Sequence, residues 1–269
     1  MTSYNGASYS WQGRELTKVT SGSNTYSYKY DADGIRTSKT VNGTKTEFFL
    51  NGSQILAQKT GDTTMLFFYD SAGKRVGFAN GDTLYYYLYN VQGDVIAIMR
   101  AATGQVVARY SYDAWGKCTV TNATGYTVGN KNPFRYRGYY YDTETGLYYL
   151  NSRYYSPEFG RFISADNQLS IGDDLTGLNL FAYCGNNPVN RVDPTGEAWW
   201  QYRGIPLHYH SPNGTGGSLT PISGAEAYVR SGKCNCLLQQ AYQHRQYNSS
   251  PGCRHHCQSS STHHFPCRN

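Results

Sequence analysis

The stretch YRGYYYDTETGLYYLNSRYYSPEFGRFISAD, residues 136–166, contains eight tyrosines around two polar turns, Asp-Thr-Glu-Thr-Gly and Pro-Glu-Phe-Gly-Arg. A strand in an ordinary hydrophobic core would use Val, Ile or Leu. A tyrosine ring packs like these residues, but its hydroxyl needs water or a hydrogen-bond partner. The stretch therefore predicts β-strands in a sheet whose faces are only half dry, with rings that either bind a ligand or build the sheet.

A motif of related shape repeats on the N-terminal side of this stretch. Each copy has an aromatic residue, a polar turn, and a glycine followed by strand-like residues. The copies are Trp11-Gln-Gly13-Arg, Tyr30-Asp-Ala-Asp-Gly34-Ile-Arg36, Tyr69-Asp-Ser-Ala-Gly73-Lys-Arg75, Tyr89-Asn-Val-Gln-Gly93-Asp and Tyr112-Asp-Ala-Trp-Gly116-Lys, with a degenerate copy at Leu50-Asn-Gly52-Ser. These glycines recur about every twenty residues, and a second set lies between them at 22, 43, 61, 81, 104 and 125.

A turn every ten residues, with Val, Thr, Tyr and Phe between the turns, is typical of short strands joined by hairpins. Glycine suits these turns because they require positive φ, and Asp or Asn supports them by bonding nearby backbone. No helical periodicity of useful length competes with this pattern. The predicted fold class is therefore all-β: a long, curved antiparallel strip of a dozen or more strands over residues 9–155, followed by an irregular or disordered tail.

Composition and charge exclude several classes of protein. The 269 residues suffice for one large domain or two small ones, and the hydrophobic fraction is 39%. No segment is long and apolar enough to predict a membrane span. The first residues have neither a basic start nor an apolar segment, so we expect no signal peptide in this chain. Residues 1–196 are nearly neutral and offer no basic stripe for nucleic acid.

Two longer motifs give the chain a specific resemblance. Tyr-Asp-x-x-Gly-x-x-Arg at twenty-residue spacing resembles the tyrosine-aspartate (YD) repeat of the rearrangement hotspot (RHS) proteins. Phe134-Arg-Tyr-Arg-Gly-Tyr-Tyr-Tyr-Asp142, Ser152-Arg-Tyr-Tyr155-x-Pro157-x-x-Gly160-Arg-Phe162-Ile-Ser164-x-Asp166 and Asn187-Pro-Val-Asn190-x-Val-Asp193-Pro-Thr-Gly196 are similar to the C-terminal core signature of that family. The resemblance covers residues 9–196. It implies YD repeats over 1–133, an RHS repeat-associated core domain over 134–196, and a variable tail over 197–269.

The resemblance also implies a function. In that family the strip forms a shell around a variable C-terminal toxin used in interbacterial competition, so the tyrosines are expected to be wall material. About seven repeats would form a gutter or partial turn rather than a sealed chamber. The expected partners are the chain's own C-terminal toxin segment and, if the tail is toxic, a cognate immunity protein. We expect no cofactor, and a secreted or cell-surface location as part of a longer chain.

Self-cleavage is the chemistry that the resemblance implies. The matching catalytic positions are Asp166 and Asp193, and the matching cleavage region is Gly196, Glu197 and Ala198. Ionising both of two neighbouring carboxyl groups is unfavourable because the two charges repel, so one can donate a proton while the other accepts one. Any enzyme activity would at most be that of an aspartyl autoprotease. The residues alone leave an alternative, because Asp-Pro-Thr-Gly is also a good turn.

One residue departs from the family pattern. The family usually has leucine after the Asp-Pro-x-Gly glycine and cuts after that leucine, whereas this chain has Glu197. A charge there replaces an apolar anchor and repels neighbouring carboxylates. We therefore expect slow or absent cutting in this chain.

The tail differs in composition from the rest of the chain. All seven histidines and five of the seven cysteines follow Trp200. Cys234, Cys236, Cys253 and Cys257 are weak zinc-ligand candidates, because their spacings match no standard finger, and disulfides are an alternative. A third interpretation is a slipped reading frame or a recombination scar, whose sparse apolar residues would leave it disordered. Cys118 and Cys184 are expected to be isolated buried thiols.

Two other functions remain open from the sequence. Repeated tyrosines beside polar groups could stack on cell-surface glycans, which would make the chain a binding module. Alternatively, the chain is an inactive, truncated remnant of a toxin. The glycan interpretation requires exposed rings and free polar groups at each repeat, whereas the shell interpretation requires those groups to be used within the sheet.

Overall fold

The computed structural model of the chain describes residues 1–4, 6–166, 179–201, 207–209 and 217–219, all within one unit, Met1–Ala225. The strands are β1 Ser3–Tyr4, β2 Ala7–Gln12, β3 Glu15–Ser21, β4 Asn24–Tyr30, β5 Arg36–Val41, β6 Thr44–Asn51, β7 Gln54–Thr60, β8 Thr63–Tyr69, β9 Arg75–Asn80, β10 Thr83–Tyr89, β11 Val95–Arg100, β12 Val106–Tyr112, β13 Cys118–Asn122, β14 Tyr140–Asp142, β15 Leu147–Leu150, β16 Arg153–Ser156, β17 Arg161–Phe162, β18 Arg191–Val192, β19 Trp200–Gln201, β20 Leu207–Tyr209 and β21 Gly217–Leu219. The described helices are α1 Val128–Lys131 and the 3-10 turns Tyr136–Gly138 and Cys184–Asn186.

Strands β1 to β13 form one antiparallel sheet in sequence order, here called the hairpin sheet. Both sets of predicted turn glycines, from Gly13 to Gly125, have positive φ. The all-β prediction is therefore confirmed. The strip is shorter than predicted, since it ends at Asn122, and β14 to β17 form a separate four-stranded sheet, here called the core sheet. Helix α1 and Pro133 lie between β13 and β14 in the sequence. Proline has no backbone N–H to donate to a strand ladder, so it does not favour continuing the strip.

The Tyr-Asp motif builds the hairpin sheet through hydrogen bonds. The Asp31 carboxylate accepts from the backbone N–H groups of Asp33 (3.0 Å) and Ile35 (2.9 Å), which holds its own turn. The motif tyrosines donate to a backbone carbonyl of the preceding repeat, in the pairs Tyr30 to Leu16, Tyr69 to Ile55, Tyr89 to Arg75 and Tyr112 to Val95, at 2.7–2.8 Å. Each repeat is thereby fastened to the one before it.

A β-bulge recurs just before or at the motif aromatic. The register shifts lie at Ser10/Trp11, Lys29/Tyr30, Phe49/Leu50, Phe68/Tyr69 and Leu88/Tyr89. A bulge bends its strand and increases the local twist. Because the bulges recur at equivalent positions, we expect their bends to add up along the strip.

The core sheet packs on one face of the hairpin sheet through aromatic rings. Phe48 lies edge-on to Tyr140, with ring centroids 5.4 Å apart, and every residue of β15 and β16 is buried. Residues on one face of the core sheet join the hairpin-sheet core, while Tyr148, Tyr155 and Phe162 join a second cluster around Tyr183. The expectation of half-dry faces is therefore wrong for this stretch.

The buried hydroxyls of this stretch find acceptors inside the protein, which explains why water is not needed. Three of them donate to successive carbonyls of the last Tyr-Asp turn: Tyr136 to Ala114, Tyr155 to Trp115 and Tyr148 to Gly116, at 2.7–2.9 Å. A turn leaves its carbonyls without ladder partners, and buried carbonyls must be paired. The tyrosines thus tie the core sheet to the end of the hairpin sheet.

A buried ion pair joins the two sheets near Tyr140. Arg36 of β5 contacts Asp142 of β14 at 2.5 Å, and Lys39 contacts the other oxygen of Asp142 at 2.9 Å. Burial opposes ionisation of Asp142, but the two cations outweigh it and hold its pKa below the ordinary value. The Arg36 guanidinium also faces the ring of Tyr149 at 4.3 Å.

The predicted tail begins with paired strands. Strands β19, β20 and β21 extend from β18 in a third antiparallel sheet. The rest of the predicted tail, including Cys234, Cys236, Cys253 and Cys257, lies outside the described residues, so its predicted disorder stays a prediction. Within the described ranges, no helix has the length and apolar character needed to cross a bilayer.

Replacing Asp142 with asparagine should destabilise the fold by about 3 to 5 kcal/mol, because Arg36 and Lys39 would be left buried without a counter-charge. Urea unfolding of the purified variants would measure this loss. The matched control is Glu47→Gln, in an exposed pair with Lys45, which should leave the free energy of unfolding almost unchanged, because solvent screens an exposed pair. Equal effects of the two substitutions would contradict the role given to Asp142.

Candidate active site

Both candidate aspartates contact the same arginine. Asp166 follows β17, Asp193 follows β18, and Arg153 begins β16. The Nη2 atom of Arg153 lies 2.8 Å from Asp166 Oδ2 and 3.4 Å from Asp193 Oδ2. The two carboxylates are therefore neighbours around one guanidinium, although they lie far apart in the sequence.

The turn containing Asp193 folds the cleavage region back onto that aspartate. Asp193 Oδ1 accepts from the backbone N–H groups of Gly196 (2.8 Å) and Glu197 (3.2 Å), and the N–H of Ala198 also bonds the carboxylate. The Asp193 carboxyl thus lies against all three residues of the predicted cleavage region. The Glu197 side chain is exposed.

Gly196 docks this turn against the end of the β15–β16 hairpin. Its φ is +76°, and a Cβ atom there would lie 2.7 Å from the Leu150 carbonyl oxygen and 2.8 Å from Ser152 Oγ. Ser152 Oγ donates to the Thr195 carbonyl at 2.8 Å. Only glycine fits this close approach with this backbone conformation.

Arg153 is the site residue that the sequence analysis missed. Its Nε donates to the Gly196 carbonyl, its Nη1 donates to the Leu180 carbonyl at 3.2 Å, and its guanidinium carbon lies 3.7 Å from the ring centroid of Phe162. One side chain therefore holds both aspartates and the cleavage region. A signal was present, since Arg153 is a lone cation in a run of tyrosines and leucine, and a buried arginine in a strand requires an anionic partner.

Tyr139 holds the backbone of Asp193 from the other side. Its hydroxyl donates to the Asp193 carbonyl at 2.8 Å, accepts from the Asp193 N–H at 3.3 Å, and lies 3.0 Å from the hydroxyl of Tyr183. All three residues are buried. A tyrosine from the quoted stretch therefore positions the site through the backbone of Asp193, without touching a carboxylate.

Burial shifts the pKa values of both Asp193 and Arg153. Burial raises the pKa of Asp193 to about 7, and the neighbouring Asp166 adds to the rise, while Arg153 and the backbone N–H groups oppose it. Burial likewise lowers the pKa of Arg153 from its ordinary value. Asp193 can therefore keep a proton near neutral pH, which is the property of a general acid.

Thiol and metal chemistry are the other possibilities that the sequence left open. Cys118 and Cys184 are both free thiols, as predicted, but only Cys184 is buried, whereas Cys118 is half-buried. In the part of the chain that the structure describes, no three His, Cys, Asp or Glu side chains are grouped as metal ligands. The four cysteines named as weak zinc ligands fall outside that part.

Comparisons with known proteins relate the chain to toxin shells. A family model described as Teneurin YD-shell matches residues 7–189. The tRNA3(Ser)-specific nuclease WapA of Bacillus spizizenii is 40% identical over 200 residues, or 71% of this chain and 8% of WapA. The toxin subunit YenC1 of Yersinia entomophaga is 30% identical over 223 residues, or 72% of this chain and 22% of YenC1.

Among solved structures, the crystal structure of TcdB2-TccC3-Cdc42 matches with a TM-score of 0.60 and 25% identity, over 71% of this chain and 10% of that chain. This match supports the same fold for the described sheets. In all three comparisons the chain spans only a small part of the protein that it matches.

The raised pKa of Asp193 predicts a pH-dependent stability. Between about pH 4 and pH 7 the unfolded carboxyl ionises while the folded one stays protonated, so the wild type should lose stability relative to Asp193→Asn as pH rises. The loss should be on the order of 4 kcal/mol across that window, at about 1.4 kcal/mol per pKa unit. Urea unfolding at several pH values would measure it, with Asp113→Asn controlling for the amide substitution in a turn. A constant difference between wild type and Asp193→Asn would contradict the shifted pKa.

Proposed function

The chain belongs to the RHS/YD-repeat family, and from this premise we propose that it is the C-terminal shell segment of a polymorphic toxin. In this proposal the hairpin sheet supplies part of the wall that encloses and presents a variable C-terminal toxin segment. The family match over residues 7–189 supports it. The similarity to a protein named as a toxin subunit and to one named as a nuclease gives further support.

The wall function is also supported by how the tyrosines are used. In the Tyr-Asp repeats the tyrosine hydroxyls donate to backbone carbonyls of neighbouring repeats, and the aspartate carboxylates accept from turn N–H groups. A glycan-binding module would need these same groups to be free for sugar hydroxyls. The rings therefore serve better as wall than as ligand platform, and the glycan-binding alternative has less support.

The location and partners follow from this proposal. A shell of this family would act outside the producing cell, so we place the chain in a secreted or cell-surface protein. Its first partner is its own C-terminal toxin segment, and an immunity protein would be required if that segment is toxic. The named activities of WapA and YenC1 do not identify this toxin, because the chain covers only 8% and 22% of those proteins.

Self-cleavage between Glu197 and Ala198 is the proposed chemistry of the site. Water attacks the Glu197 carbonyl carbon, Asp166 accepts a proton from that water, and Asp193 donates a proton to the Ala198 nitrogen as the C–N bond breaks. The products are a carboxyl group on Glu197 and a free amine on Ala198. The observation that carries the role of Asp193 is its contact with the N–H groups of residues 196–198, together with its raised pKa. Asp166 is assigned as the base because it lies on the same Arg153 guanidinium as Asp193.

Arg153 distinguishes this proposal from a plain turn. An aspartate that only closes a turn accepts backbone N–H groups, as Asp193 does, but needs no second carboxylate. Here Arg153 gathers Asp166, Asp193 and the Gly196 carbonyl around one guanidinium. Burying the Arg153 charge is unfavourable for stability. A role in cleavage would explain why the chain has this arrangement.

Substitution of Glu197 tests the proposal. We expect the wild type to stay largely intact and Glu197→Leu to release residues 198–269, because leucine restores an apolar anchor and removes a repelling charge. Mass spectrometry of the purified chains would show the two fragments. Glu197→Leu/Asp193→Asn and Glu197→Leu/Asp166→Asn should both remain whole, with circular dichroism confirming that they fold. An intact Glu197→Leu protein would leave both aspartates as turn residues.

The pH dependence of that reaction tests the assigned roles. Asp193 acts as the acid and must carry a proton, so cleavage of Glu197→Leu should slow as pH rises above about 7. Each further pH unit should reduce the rate about tenfold. The fraction of cleaved chain at fixed times across pH 5 to 9 or so would give the profile. Cleavage that accelerates through pH 7 would mean that Asp193 is not the acid.

A further inference from the structure

The segment after the proposed cut is held by different groups from the segment before it. Before the cut, the Gly196 carbonyl accepts from Arg153. After the cut, Ala198 has only a methyl group for a side chain, and its N–H bonds the Asp193 carboxylate. Trp199 is the first side chain beyond the cut that is large enough to hold this segment by packing.

Trp199 is half-buried and packs on two kinds of surface. Its ring faces the Arg191 guanidinium, whose carbon lies 3.6 Å from the ring centroid. Tryptophan is the aromatic residue that stabilises a facing cation best. The ring also packs against the second aromatic cluster, around Tyr183. The residue that follows Ala198 is therefore docked on the protein by both a charged and an apolar contact.

Arg191 is itself fixed by a neighbouring 3-10 turn. Its Nη1 atom donates to the Cys184 carbonyl at 3.3 Å and to the Gly185 carbonyl at 3.4 Å. Arg191 begins β18, two residues before Asp193. The guanidinium under Trp199 and the proposed acid are thus carried by one short segment, which limits how far they can move relative to each other.

The strand register explains why Trp199 reaches Arg191. Strands β18 and β19 are antiparallel, with Arg191 opposite Gln201. Trp199 precedes Gln201 by two residues and is therefore diagonal to Arg191, a placement within reach of aromatic and long side chains. The same register, continued beyond the strands, places Trp199 opposite Asp193. The loop 194–198, which contains the proposed cut, is closed at its base by these two residues.

We propose that Trp199 is a positioning residue for the cleavage: stacked on Arg191, it keeps the nitrogen of Ala198 within reach of Asp193. This proposal rests on the cleavage between Glu197 and Ala198 proposed above. A general acid must stay within hydrogen-bond reach of the atom that it protonates. The exposed side chain of Glu197 adds little packing before the cut, so Trp199 supplies an apolar anchor after it.

Hydrogen exchange tests this hold in the uncleaved chain. Trp199→Ala should make the Ala198 N–H exchange at least about tenfold faster, because the segment after the cut can then open locally. The Gly196 N–H bonds the same carboxylate from before the cut and should keep its exchange rate. Trp199→Phe should stay within about threefold of the wild type, because a phenylalanine ring can also face Arg191. NMR of the full chain and of both variants would give these rates.

The cleavage rate tests the positioning role in the Glu197→Leu background. Adding Trp199→Ala should slow the release of residues 198–269 roughly ten- to a hundredfold, because small displacements of reacting atoms reduce rates by such factors. Adding Trp199→Phe should restore most of the rate. The loss should be the same at every pH, since the acid itself is unchanged. The matched control, Tyr86→Ala, truncates an exposed ring on β10 and should leave the rate as it is.

Several results would overturn the proposal. Ala198 N–H exchange that is equal in the wild type and Trp199→Ala, or that rises together with exchange at Gly196, would show no specific hold. Cleavage that is as fast or faster with Trp199→Ala would rule out positioning. If Glu197→Leu is never cleaved, the proposed function fails, and hydrogen exchange alone decides whether Trp199 holds Ala198. Should Trp199→Ala fail to fold by circular dichroism, Trp199→Leu takes its place with the same expectations.

Discussion

The buried contact between Arg36 and Asp142 is the interaction on which the arrangement of the two sheets depends. The residues are 106 positions apart, and neither side chain is accessible to water. Tyrosine-rich surfaces can pack in several registers, because rings tolerate sliding. A buried ion pair does not tolerate sliding, because moving its partners apart costs several kcal/mol. The pair therefore selects one placement of the core sheet on the hairpin sheet.

The surroundings of Arg36 show how that charge is tolerated. Its guanidinium lies over the rings of Phe48, Tyr140 and Tyr149 at 4.3–5.1 Å. Aromatic faces carry partial negative charge and stabilise a desolvated cation. These rings come from both sheets, so the cage closes only when the sheets are packed together. The placement of the later strands of the core sheet, including β16 with Arg153, depends on this packing.

Tyrosine serves two different purposes in the two sheets. In the hairpin sheet, each motif tyrosine reaches back to the preceding repeat, so neighbouring repeats support each other and the strip behaves as a cooperative array. In the core sheet, the tyrosines are buried on both faces and satisfy carbonyls of the last turn. Phenylalanine would fill the same space in either sheet but would leave those carbonyls unpaired. The abundance of tyrosine thus goes with backbone carbonyls that need donors, near the starts of strands in the hairpin sheet and in its last turn.

The sequence by itself determined the features that depend only on residues close together in the chain. The turn glycines, the all-β strip and the capping role of the motif aspartates could be read directly, because positive φ and side-chain-to-turn bonds are local. The two candidate aspartates were named through the family resemblance. Only the tertiary structure decided that Arg153 gathers them, that Tyr139 holds the Asp193 backbone, and that the core sheet is dry on both faces. Those features join residues from different sheets, and a contact between distant segments leaves no period or spacing in the sequence from which it could be read.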